Sequence, residues 1–212
     1  MPLASLRALY AALPSLEKAN LVYEGPGRAK LIGAARVGAL LTLELLVWTD
    51  LPEPTPQRWS LRCLRPRAHR LTLNPVERLS LHHQHPLLWE HTEPSAELTF
   101  DGDPESVHAL LGELWQAHLA LAGGWIPLDR HIHTRALTTG RGELARGPER
   151  LLRAYEAVLS RRQMKPSLRI LEEKRWDGTA WTTVSVKNDL ELVLFDEWSY
   201  VIASSVEAAR ES

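Results

Sequence analysis

Cysteine is almost missing from this chain: Cys63 stands alone among 212 residues. An intramolecular disulfide is therefore excluded, and a reducing compartment suits the composition. The setting Leu61-Arg62-Cys63-Leu64 reads as a strand in which the thiol is a small buried apolar group, although the flanking arginines would also suit a reactive thiolate. Long apolar runs are missing as well. The most apolar stretch, residues 31–48, is broken by Arg36 and Glu44 and falls short of the roughly 20 residues a spanning helix needs. The start, Met1-Pro2-Leu3-Ala4-Ser5-Leu6-Arg7, lacks the basic opening and apolar core of a secretion signal. These absences predict a cytoplasmic protein with no membrane contact. Lysine is scarce, arginine outnumbering it twenty to five, which we read as the imprint of a GC-rich, bacterial coding sequence.

Catalytic signatures are missing too. There is no Gly-x-Ser-x-Gly elbow, no His-Glu-x-x-His and no Cys-x-x-Cys, and the glycines at 123–124 and 140–142 match neither a phosphate loop nor a dinucleotide fingerprint. The serines around Trp198-Ser199-Tyr200 and Ser204-Ser205 read as strand and C-terminal helix residues. A formal net charge of −1 supplies no global attraction to nucleic acid, so any such attraction must be local.

What is present is a segregation of charge. Between Leu79 and Asp129 there is no lysine or arginine, but eight acids (Glu90, Glu93, Glu97, Asp101, Asp103, Glu105, Glu113, Asp129) and six of the nine histidines. Arginine-rich segments flank this stretch. With 44% hydrophobic and 24% charged residues the composition is globular, and 212 residues suit one domain spanning 1–212.

Periodicity predicts the elements. Leu3, Leu6, Leu9, Tyr10 and Leu13 recur at helical spacing, giving an N-terminal helix. Residues 20–24 form a short strand, and 30–48 alternate so that Leu41, Leu43, Leu45 and Val47 share a buried face. Further strands are expected at 58–64, 70–73, 78–83, 97–100, 167–171, 181–186, 190–195 and 199–203, with a hairpin turn at Asp177-Gly178. One helix follows Asp103 as N-cap and Pro104, carries the stripe Val107, Leu110, Leu111, Leu114, His118 and Leu121, and ends at Gly123-Gly124. After a loop at 125–133 and a glycine-rich patch at 140–147, Pro148 opens a second, burying Leu151, Leu152, Tyr155, Val158 and Leu159. The sum is an α+β fold: one largely antiparallel sheet with an N-terminal helix and two longer helices packed on it. The likeness of residues 6–13 to 152–159 suggests a weak duplication of a helix-plus-hairpin unit, about 3–48 and 148–203.

Three functional readings compete. The leading one is a non-catalytic protein acting through a binding surface, on a protein partner or in a homodimer, with no cofactor. It rests on the missing catalytic motifs, the eight tryptophans (Trp125 among the candidates for a binding surface) and the segregated charge. The second is a metal-dependent hydrolase or nuclease. The motifs His83-Gln84-His85 and His131-Ile132-His133 would each present two imidazoles on one strand face to a divalent metal, with Asp129 or Asp101 as ligand or base. The third is a nucleic-acid binder: Arg58, Arg62, Arg65, Arg67 and Arg70 lie in thirteen acid-free residues, with Trp59 available for stacking. The near-zero net charge argues against it, because the acidic stretch could neutralise these arginines internally. His118, on an apolar helix stripe, is expected to be a core histidine bonded to a carbonyl or carboxylate.

Overall fold

The computed structural model describes residues 16–17, 22–24, 29–48, 56–73, 76, 78–172, 174–176, 179, 181–183, 190–196 and 199–211. Helices and antiparallel sheets combine as an α+β protein, with the strands shared among four sheets. The chain divides into two compact units: Met1–His85 with Asp189–Ser212, and Pro86–Asn188. The N-terminal helix expected at residues 3–13, and with it the first half of the suggested duplication, lies outside the described residues.

The first unit is built from strands. Its amino-terminal part gives β1 (Leu16–Glu17), β2 (Val22–Glu24), β3 (Ala29–Val37), β4 (Leu40–Trp48), β5 (Pro56–Leu64), β6 (Ala68–Arg70) and β7 (Arg78–His82); its carboxy-terminal part gives β13 (Glu191–Leu194), β14 (Tyr200–Ala203) and β15 (Ser205–Arg210). They form a four-stranded sheet, β15-β5-β4-β3, and a six-stranded sheet, β1-β2-β7-β13-β14-β6, with every pairing antiparallel. The expected alternation holds: Leu41, Leu43, Leu45 and Val47 are buried while Glu44 is exposed. On β5, Trp59, Leu61 and Cys63 point inward and Arg58 and Arg62 outward. These inward rows join Leu79, Val193, Phe195, Val201, Ala203 and Val206 in one apolar cluster between the sheets. β13 and β14 are buried on both faces, which is why they read as nearly continuous apolar runs.

Two expectations in this unit are corrected. Residues 30–48 are two strands rather than one, because Gly38 (φ +57°) and Ala39 form a two-residue loop that sets Val37 opposite Leu40. The expected C-terminal helix is the edge strand β15, paired with β5 from Ser205 opposite Leu64 to Arg210 opposite Trp59. Its Ala and Glu favour a helix locally, but burying Val206 and Ala208 against the core cluster favours the sheet.

The second unit contains α1 (Trp89–Thr92), β8 (Ser95–Asp101), α2 (Val107–Ala122), α3 (Thr134–Thr139), β9 (Arg141–Pro148), α4 (Glu149–Arg161), β10 (Lys165–Ile170) and a hairpin of β11 (Lys174–Trp176) with β12 (Trp181–Thr183). The hairpin expected around Asp177-Gly178 pairs Trp176 with Trp181, its first strand being Lys174–Trp176, while Asp177 and Gly178 lie outside the described residues. In the three-stranded sheet β10-β8-β9 both outer strands run antiparallel to β8, and α4 crosses from one to the other. α4 buries Leu151, Leu152, Tyr155, Val158 and Leu159, all five residues of the expected stripe, and α2 packs against it.

Here too local detail departs from expectation. The cap of α2 is Ser106, not Asp103: its backbone is extended and its Oγ accepts the Ala109 N–H at 3.3 Å. The glycine-rich patch is the strand β9, held by pairing with β8 across a bulge near Leu98 that leaves Leu144 and Ala145 both buried.

Candidate functional site

α2 carries no lysine or arginine, and its one acid, Glu113, is held by Arg162 at 2.5 Å. A helix with so few charged side chains is expected to bury most of its surface. This one does not. Leu110, Leu114, His118 and Ala122 form the buried row, four residues apart, while His108, Gly112, Trp115 and Leu119 make a second row that faces outward. Trp115 is 45% exposed and Leu119 40%.

The indole of Trp115 rests on a rigid base. Its ring stacks on His118 with centroids 6.2 Å apart and planes 13° from parallel. His118 is fully buried, and its Nε2–H donates to the Ile126 carbonyl at 2.6 Å. A carbonyl can only accept, so Nδ1 is left as the acceptor and the Tyr155 hydroxyl donates to it at 2.7 Å. Burial pushes the Tyr155 phenol upward, so it keeps its proton and remains a donor. The expected core histidine is what the structure shows, and it braces an exposed tryptophan.

A second feature of this unit is a cleft of about 290 Å³ lined by Trp89, Glu90, Glu93, Arg130, His131 and Arg146, among others. His131 is only 4% exposed. Its Nδ1–H donates to the Arg146 carbonyl at 3.0 Å, leaving the Nε2 lone pair towards Glu90, whose Oε1 lies 3.6 Å away. That is too far for a hydrogen bond, and Nε2 has no hydrogen-bond partner among the described residues. Burial lowers the His131 pKa, opposed by the Arg146 carbonyl and the Glu90 charge. Glu90 is also clamped by Arg130 at 2.5 Å. The ring fits only because residue 147 is glycine: a Cβ there would lie 2.5 Å from His131 Nδ1.

The paired histidine motifs do not share faces as expected. β7 ends at His82, so His83 and His85 lie in the following bend, His83 exposed and His85 buried with its ring 5.2 Å from that of His82. These two belong to the first unit. In the second, His131 is buried while His133 is exposed, 3.7 Å from Glu143, and Asp129 is exposed in a 3-10 turn. Side chains two apart share a face only on a strand, and neither motif lies on one. Asp101 is exposed at the end of β8. Among the described residues no group of three His, Cys, Asp or Glu side chains has the arrangement to hold a metal.

In the second unit Arg130 pairs with Glu90, Arg150 with Glu93, Arg146 and Arg169 with Glu97, Arg153 with Glu149 and Arg162 with Glu113, while the exposed Arg135, Arg141 and Arg161 have no ion pair among the described residues. The side chains of Arg58, Arg62, Arg65 and Arg67 are exposed and have no ion-pair or hydrogen-bond partner among the described residues. Glu90, Glu93, Glu97 and Glu113 of the acidic stretch thus each pair with an arginine of their own unit. Trp59 cannot stack on a ligand, because it is buried in the first unit's core. Trp125 is half-buried against Trp89, Ala122 and Ile126. Cys63 is buried, and burial with the nearby Glu191 charge pushes its thiol up to about 12.

Sequence reasoning missed the outward row of α2, which looked like part of one broad apolar stripe, and the Glu90–His131 cleft, whose two members are 41 residues apart. Comparison with protein-family models, curated proteins and solved structures found no match, so function is argued from the chain's own residues.

Proposed function

We propose that the protein works through a binding surface, that the outward face of α2 is that surface, and that a second copy of the chain is its occupant. The observation that carries this reading is the exposed Trp115, backed by the His118–Tyr155 network on a helix with no free charge. A rigid aromatic loses little entropy when it docks, which is what makes such side chains anchors. Gly112 lies three residues before Trp115 on the same face, and a Cβ added there would meet nothing within 4 Å. In an antiparallel two-fold pair centred between them, each indole sits over the other copy's Gly112. An uncharged face suits a copy of itself, since no like charges meet across the axis.

Size decides the strength. Sixteen residues of helix are about 24 Å long. A strip roughly 10 Å wide would bury on the order of 250 Å² per copy, well below the roughly 800 Å² of a standard stable interface. Association should therefore be weak and concentration-dependent. Sedimentation velocity from about 5 to 500 μM tests it. The weight-average mass should rise above 23.9 kDa with concentration, and Trp115→Glu or Gly112→Gln should each hold it at the monomer value. A wild-type mass flat across that range sinks the reading.

A second reading, a polyanion binder, is favoured by the exposed Arg58, Arg62, Arg65 and Arg67, which have no partner among the described residues. With Trp59 buried there is no stacking platform, so binding would be electrostatic and tolerant of sequence. Four phosphate contacts predict a log–log salt slope of about −3.6 on duplex DNA. Fluorescence anisotropy with a labelled duplex at 50 to 200 mM salt reads it. Absence of binding at 50 mM, or a slope unchanged in the fourfold serine variant, removes it.

A further inference from the structure

β3 is an outer strand of the four-stranded sheet. Its amino-terminal half is met along the free edge, where the Ala29 carbonyl accepts the Val76 N–H at 2.8 Å. At the sheet's opposite edge the Val206 N–H of β15 donates to a Glu191 carboxylate oxygen at 2.6 Å. Beyond the bulge between Leu31 and Gly33, the second half of β3 has no such cover among the described residues: 34–37 are all exposed, Val37 by 78%. Backbone parity identifies the idle groups. The two-residue loop at 38–39 makes Val37 and Leu40 the hydrogen-bonded pair that closes the hairpin. Bonded and non-bonded pairs alternate along an antiparallel ladder, so Arg36 opposite Leu41 and Ala34 opposite Leu43 turn their N–H and C=O groups away from β4. We infer that this edge takes up an extended segment of a protein partner as an added strand beside residues 34–37, with acidic side chains towards Arg36 and apolar ones towards Val37.

The side chains select the occupant. Residues directly opposite in the ladder share a face, so Ala35 and Val37 lie on the sheet's outer face and Ala34 and Arg36 on the other. Val37 pairs with Leu40 and Leu40 with Leu64, itself 37% exposed, so an apolar row crosses the outer face at this end. Arg36 has no ion pair among the described residues, and its Nε–H reaches the Gly38 carbonyl at 3.4 Å. The one acid of this hairpin, Glu44, lies instead beside Gly33, where an added Cβ would sit 3.3 Å from its carboxylate. A second copy of β3 is the wrong occupant, because a pair centred on Ala35 sets the two Arg36 side chains on one face as diagonal neighbours of like charge. An acidic strand meets Arg36 with the opposite charge and gives its alternate apolar side chains to Val37. That division is how strand addition works: main-chain bonds supply affinity and alternate side chains supply specificity. The open stretch of five residues, 33–37, is about 17 Å long, which sets the length of the segment it takes. This inference is independent of self-association through α2.

The test follows the backbone amide resonances of the intact chain by NMR during titration to 2 mM with three blocked seven-residue peptides: valine alternating with glutamate, valine alternating with lysine, and proline alternating with glutamate. The last keeps the negative charge but cannot form a strand. The expected result is saturable shifts at Ala34, Ala35, Arg36 and Val37 with the first peptide, and binding at least tenfold weaker with the other two. Ala34→Pro removes an N–H that β4 does not use, as an edge strand tolerates, and should weaken binding at least tenfold. Arg36→Glu leaves the edge open and should reverse the preference in favour of the lysine peptide. If residues 34–37 do not shift, or if the lysine or proline peptide binds as well, the inference is overturned. Unchanged affinity in a folded Ala34→Pro protein overturns it too; should that variant fail to fold, the charge preference of Arg36→Glu decides.

Discussion

Replacing Tyr155 by phenylalanine takes one oxygen out of the second unit's interior, and the structure specifies what that oxygen was doing. The hydroxyl donates to His118 Nδ1 at 2.7 Å, and the ring cannot turn to find another donor because its Nε2–H is held by the Ile126 carbonyl at 2.6 Å. Tyr155→Phe therefore strands a fully buried acceptor, which costs about 1–3 kcal/mol. His118→Leu strands two groups, the Tyr155 hydroxyl and the Ile126 carbonyl, and should cost roughly 2–6 kcal/mol. The double variant strands only the Ile126 carbonyl, so its cost falls back to about 1–3 kcal/mol. The double variant should thus be more stable than His118→Leu alone, although it carries one more substitution. Additive effects would instead make it the least stable of the three, and the cycle should depart from additivity by about 2 kcal/mol or more. Urea unfolding followed by circular dichroism gives the energies, and tryptophan fluorescence adds a local reporter, because Trp115 stacks on His118. A cycle that closes additively, or a neutral Tyr155→Phe, would refute the network as described and with it the claim that Trp115 rests on a rigid base.

Three further outcomes are expected. Gly147→Ala should destabilise the second unit by about 1–3 kcal/mol, because its methyl group would lie 2.5 Å from His131 Nδ1; adding His131→Ala should recover much of that loss in the same urea assay. Burial, helped by the neighbouring His82, lowers the pKa of His85 to about 4, so the folded chain keeps it neutral where the unfolded chain takes up a proton near pH 6.5. Stability contributed by the neutral ring is therefore complete above about pH 6.5 and declines as pH falls towards about 4; His85→Gln should flatten the pH dependence of the unfolding midpoint in that window. Cys63, buried with its thiol pushed up to about 12, should be inert to a thiol reagent at pH 8 in the folded protein and react fully in denaturant; rapid labelling of the native chain would contradict its placement in the core.

Period was the legible part of this chain. Residues 41–47 and the α4 stripe could be read because one face of each is buried and the spacing of Leu41, Leu43, Leu45 and Val47, or of Leu151, Leu152, Tyr155, Val158 and Leu159, records it. The same rule applied fully would have placed Trp59 inside, since it shares parity with Leu61 and Cys63 while Arg58 and Arg62 take the other face. Elements created by pairing were harder. β9 offers glycines and arginines, and becomes a strand because β8 lies beside it; β15 offers helix formers and becomes a strand because β5 presents an open edge. The Gly38–Ala39 loop lacks the Asn-Gly or Asp-Gly signature that announces a hairpin.

The sites were less legible than the fold, for a related reason. A periodic pattern reports whether a residue points at its neighbours in the chain, but not what arrives from elsewhere. His118 could be assigned to a core because its own helix states that face, whereas Trp115 and Leu119 are equally apolar and yet face outward, since α4 covers only one side of α2. His131 and Glu90 meet only after the chain has folded. Charge follows the same logic. The contrast between the acidic stretch and its arginine-rich flanks suggested mutual neutralisation, and within the second unit Glu90, Glu93, Glu97 and Glu113 each find an arginine between Arg130 and Arg169. The other flank keeps Arg58, Arg62, Arg65 and Arg67 without partners among the described residues. A net charge of −1 therefore conceals an unbalanced surface. Local pairing, and not the total, decides whether a partner could feel it.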